Sequence, residues 1–161
     1  MPPSSSSGLL PPPTLWHAEG MPAKTPRRRI DPAAGRAALR NWRASTREAD
    51  LHQPGVAIAQ DAAPVVDRST IATAVRFSLE ELASRAPGGA LEVRVPPFGA
   101  TQCIEGPSHR RGTPPAVVEV NATVWLGLVT GRVQWADAVA AGEVDASGER
   151  SDLSAHLPLE P

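Results

Sequence analysis

Tyrosine is absent from the 161 residues, aromatics amount to 4%, and only two phenylalanines and four tryptophans occur. With so few large rings, Ala and Val must supply much of the core. It is thin per residue, because burial contributes roughly 25 cal/mol per Å² of apolar surface. Cysteine is nearly absent too. With Cys103 alone, no intrachain disulfide and no cysteine-based zinc cluster can form, and a reducing compartment is expected. No run approaches the ~20 apolar residues that cross a bilayer. The first twenty residues lack the charged and apolar regions of a secretory signal, so the expected location is cytoplasmic. A formal net charge of −1 argues against a general nucleic-acid binder, which usually carries a basic domain.

What is abundant is proline, 18 residues, with 13 glycines. The prolines are uneven. Seven fall within residues 1–26, beside the run Ser4–Ser7, and this stretch has little with which to build a core. Residues 1–30 therefore read as a disordered Pro/Ser/Arg-rich tail. Met21 inside it could serve as an alternative start. Residues 31–66 read as an N-terminal helix and linker, and residues 67–158 as the main domain.

Asp31-Pro32 signals a helix start, a capping carboxylate before a proline suited to the first turn. Ala38, Leu39 and Trp42 form its apolar side. Asp67 or Ser69 caps a longer helix, in which Ile71, Ala74, Val75, Ser78, Leu79, Leu82 and Ala86 make one stripe. Arg76–Glu80 and Glu81–Arg85 are spaced as surface pairs. Phe77 points away from the stripe. Either the first helix or the linker covers it, or it offers a second surface to a partner. Leu91, Val93 and Val95 alternate with Glu92 and Arg94 as in a half-buried strand. Residues 98–105 and 116–120 read as two more strands, and 144–147 as a fourth. Short helices are expected after Asn121 or Thr123 and over 134–141, stopped by Gly131 and Gly142, with a final helical turn over 153–157.

Catalytic groups are sparse. Cys103 with His109 as base is conceivable, but Cys103 alternates with Ile104 in a strand and reads more simply as a small core residue. No histidine pair has metal-ligand spacing, and no Gly-rich phosphate loop occurs, so neither metal nor cofactor is expected. His109, Arg110 and Arg111 lie in a Pro/Gly-bounded loop. Their donors could hold an anionic head group, although a solvated loop is the plainer account. Arg27–Arg29 could favour an anionic membrane surface or simply solvate a linker.

The run Trp125-Leu126-Gly127-Leu128-Val129-Thr130-Gly131-Arg132, then Trp135 to Val144, then Ala146-Ser147-Gly148, resembles the end of a sterol carrier protein type 2 domain. Gly142, Val144, Gly148 and Leu153 stand where that family has its edge strand and terminal helix. Arg28 to Ala33 and Arg94 to Pro115 are similar to a bacterial branch of it, typical of actinobacteria. The resemblance implies an α+β fold, a small twisted and mostly antiparallel sheet with helices on one face. It also implies an apolar cavity for a lipid, fatty acyl or sterol-like ligand, and a binding role rather than an enzymatic one. On the relevant elements Phe98, Trp125, Leu128, Trp135, Val139 and Leu157 are the larger candidates to line such a cavity, unless they simply fill the core. Four short strands make a smaller sheet than the longer family members have, and a sterol-sized site needs ~300 Å³ or more. Two rival expectations are a protein-interaction module without a cavity and an accessory partner of a mycothiol-linked enzyme.

Overall fold

The computed structural model describes residues 29–46, 66–106 and 116–159. Residues 1–28, 47–65, 107–115 and 160–161 lie outside them, and with them nearly all of the expected tail, most of the expected linker and the loop of His109.

Helix α1 spans Pro32–Ser45. Asp31 caps it, accepting from the amides of Ala33 at 3.0 Å and Ala34 at 2.9 Å. Gly35, Ala38, Leu39 and Trp42 are its buried residues. They recur at the spacing of one helical face.

Helix α2, Arg68–Arg85, begins at Asp67, whose side chain accepts from the amides of Ser69 and Thr70. The expected stripe is buried from Ala74 to Ala86, with Ile71 half-buried. Phe77 is buried as well. Its cover is α1: a Cβ placed on Gly35 would stand 2.1 Å from Phe77 Cγ. α2 is thus apolar on two sides because it is a middle layer, with the sheet beneath and α1 above. Of the two expected surface pairs, Glu81–Arg85 forms at 3.4 Å. Arg76 and Glu80 turn to other partners, described below.

The strands are β1 (Leu91–Val95), β2 (Gly99–Cys103), β3 (Val117–Val120) and β4 (Val144–Ser147), in the order β2-β1-β3-β4. β1–β2 and β3–β4 are antiparallel, while β1 and β3 run parallel. Leu91, Val93 and Val95 face the helices, together with Val118 and Val120. Glu92 and Arg94 stand on the opposite face and pair at 2.6 Å. The register places Glu92 beside Gln102 and Arg94 beside Glu119, so this second face is polar.

Helix α3, Ala122–Val129, is capped by Asn121. It ends as the pattern predicts, at Gly131 with φ +72°. Arg132 N–H donates to Gly127 O at 2.9 Å and Gly131 N–H to Leu128 O at 3.2 Å, a left-handed glycine cap that satisfies free carbonyls. Helix α4, Trp135–Ala140, follows, and a 3-10 turn at Ser154–His156 comes after β4. No described helix is long and apolar enough to cross a membrane.

Candidate functional site

The helices and the sheet meet on one apolar seam, and Trp125 is its largest fully buried side chain. Its indole N–H donates to Ser78 Oγ at 2.8 Å, and Ser78 Oγ in turn donates to Val75 O at 2.9 Å. The single polar atom of the ring is therefore matched inside the core, which avoids the ~1–3 kcal/mol cost of an orphaned buried donor. Leu128, one turn from Trp125 on α3, is also buried.

The other four candidates for the apolar lining sit at the margin. Phe98, half-buried, lies in the turn between β1 and β2 and packs against the core beside α2. The Arg68 guanidinium stands 5.8 Å from its ring centre, and Arg76 Nε donates to its carbonyl at 3.0 Å. This contact takes Arg76 away from Glu80. Trp135 is half-buried at the start of α4, and Val139 on the same helix is 42% exposed, the large apolar side chain most open to solvent among the described residues. Leu157, half-buried, precedes the segment whose Leu159 N–H donates to Val129 O at 3.0 Å and whose Leu159 O accepts from Arg85 at 2.6 Å. Phe98 thus stands near the beginning of α2 and the Leu157 segment near its end. Two candidates fill the centre and four lie around it.

Cys103 is buried on β2, and burial pushes its thiol up to about 12. A thiol held neutral is a packing group rather than a nucleophile at ordinary pH. His109, Arg110 and Arg111 lie outside the described residues. Among the described residues no group of three or more His, Cys, Asp or Glu side chains is placed to hold a metal ion.

An open groove of about 430 Å³ lies between the end of α1 and the start of α2, lined by Asn41, Ala44, Ser45, Val66, Asp67 and Thr70. Its floor is mixed in polarity. The Asp67 carboxylate there is held well below the usual carboxylate range, first by the Ser69 and Thr70 hydroxyls and then by the Thr70 amide.

Compared with known protein families, residues 67–159 match the one described as bacterial SCP ortholog. The chain belongs to that family. No curated protein matches it. The SCP region begins at the Asp67 cap of α2 and ends at Leu159, so it takes in the sheet, α2, α3 and α4 and leaves α1 outside.

Two residues that hold α1 to the SCP region escaped the sequence reading. Glu80 accepts the amides of Arg29 and Ile30 at 3.0–3.2 Å. Arg132 donates to the carbonyls of Thr46 and Arg43, each at 2.6 Å, with its guanidinium 5.9 Å from the Trp42 ring. Their partners are 50 to 89 residues away in sequence, and no local pattern marks such contacts.

Proposed function

We propose that residues 67–159 form a domain that binds an apolar ligand, a lipid, fatty acyl chain or sterol-like molecule, and carries it without chemical change. Membership of the SCP family over this span is the observation that carries the reading. The layered architecture supports it, since helices on one face of a small sheet concentrate apolar side chains in a single seam. The accessible part of that seam is its margin. Phe98, Trp135, Val139 and Leu157 are the groups we assign to ligand contact, with Trp125 and Leu128 as the wall behind them. His109, Arg110 and Arg111 would receive an anionic head group. Residues 1–30 would act as a tail and 31–66 as an N-terminal extension. A cytoplasmic location fits a single free cysteine and the lack of any described helix suited to crossing a membrane.

Native mass spectrometry of the purified protein, with displacement of a fluorescent fatty acyl probe, tests the reading. Bound lipid or micromolar probe affinity is expected, and Trp135→Ala should weaken probe uptake more than it weakens folding. Repeated recovery of empty protein that binds no probe would remove the carrier role. The close burial of Trp125 against Ser78 favours the second reading, a protein-interaction module with a filled core. That outcome would leave the second reading standing.

A further inference from the structure

α1 lies outside the SCP region, yet the SCP region is shaped to receive it. The two helices run antiparallel: the amides just before α1 meet Glu80, Gly35 meets Phe77, and the end of α1 lies beside the start of α2. Three kinds of contact recur along this path. At one end the Glu80 carboxylate takes two main-chain N–H groups, those of Arg29 and Ile30. In the middle the Phe77 ring sits where only a glycine leaves room, and Ala38 and Leu39, one turn beyond Gly35 on α1, are buried. At the other end the Arg132 fork takes two carbonyls from the last turn of α1 and its cap, and lies over the Trp42 ring.

The hydrogen bonds of Glu80 and Arg132 to this segment all go to main chain, and Arg132 adds a face contact with the Trp42 ring. Glu80 takes the amides just before the Asp31 cap, where a carboxylate also suits the electropositive start of the helix, and the guanidinium takes carbonyls at the electronegative end, which lack intrahelical partners. Their hydrogen bonds read the backbone at the two ends of the helix, and Trp42 under Arg132 adds a side-chain preference at one of them. Side-chain selection is otherwise left to the middle, where a small residue must pass over Phe77. We propose that the α2 face bounded by Glu80, Phe77 and Arg132 is a helix-docking site of the SCP region, and that α1 is its tethered occupant. The site accepts an amphipathic helix with a glycine over Phe77 and a leucine and a tryptophan four and seven residues further on. This proposal goes beyond apolar-ligand binding and does not rest on it.

The test uses the full chain as receptor and a fluorescein-labelled peptide of residues 29–46 as probe. Gly35→Leu in the receptor should push its own α1 off Phe77, while changing no residue of the SCP region. Leu39→Asp does the same by spoiling the stripe, and carries the test should Gly35→Leu fail to fold. Anisotropy should show the peptide binding either variant at least tenfold more tightly than the wild type, whose site is already filled. Adding Arg132→Met or Glu80→Gln to the variant should undo most of that gain, while a Gly35→Leu peptide should bind at least tenfold more weakly than its parent. Equal peptide binding by the wild type and both variants would overturn the proposal. So would peptide binding indifferent to Arg132 and Glu80.

Discussion

Gly35 of α1 and Phe77 of α2 occupy each other's space: the ring carbon Cγ stands 2.1 Å from where a Cβ on Gly35 would be. The two helices therefore approach more closely than any side chain at that position permits. Alanine is the better helix former by about 1 kcal/mol. Overpacking a filled contact costs about 1–3 kcal/mol. Gly35→Ala should therefore lower stability in urea unfolding. Adding Phe77→Leu should recover part of the loss, since contacting residues are coupled. A more stable Gly35→Ala protein would show that α1 packs loosely.

Ser78 and Trp125 form a buried polar pair within an otherwise apolar seam. Ser78→Ala leaves the indole N–H without its acceptor and should cost about 1–3 kcal/mol. Trp125→Phe removes the donor and leaves a smaller ring. With both changes the loss should be less than the sum of the two, because the unmatched donor is gone. A double-mutant cycle measured by denaturant unfolding checks the sign of the coupling.

The elements were legible where local chemistry decides them. Asp31 and Asp67 sit at both expected helix starts, Gly131 stops α3, and β1 shows its alternation residue by residue. β4 falls on the expected residues 144–147, and the last helical turn shortens to Ser154–His156. Phe77 marked α2 as a two-sided helix before any neighbour was known, although its cover could not be chosen from sequence. What stayed hidden depends on distant contacts. Arg76 has a helix partner four residues on in Glu80, yet the β1–β2 turn offers it a carbonyl and the segment before α1 offers Glu80 two amides. The six lining candidates were chosen by size and element. Size alone does not separate Trp125, enclosed in the middle, from Trp135 at the margin.

Cys103 should be inert while the protein is folded. Its thiol is pushed up to about 12 by burial, so at pH 8 almost none is thiolate. Labelling with a disulfide-exchange chromophore should be slow in native buffer and complete within the unfolding time in denaturant. Rapid native labelling would mean that β2 opens readily.

Asp67 should make the fold sensitive to acid. Its folded carboxyl titrates below its ordinary value because the Ser69 and Thr70 hydroxyls and the Thr70 amide hold the charged form. The unfolded chain therefore takes up the proton first. The stabilisation is complete above about pH 5 and is lost as pH falls through the lower folded value. Asp67→Asn should cost stability at pH 7, and the gap to wild type should shrink toward pH 2. Asp152, lowered by the Ser154 amide, leaves a residual acid slope in the variant. Denaturant melts at several pH values would show whether the two curves converge.

The parallel ladder between β1 and β3 divides the SCP region into two stretches that each finish their own pairing nearby in sequence. α2, β1 and β2 complete one, and β3, α3, α4 and β4 the other. Short-range contacts form fast, while joining distant segments must first overcome the entropy of closing the chain between them. The β1–β3 ladder, the Trp125–Ser78 bond and the Arg85–Leu159 bond all join residues far apart in sequence, so the cost of closing the chain falls on the joining of the two stretches rather than on either one.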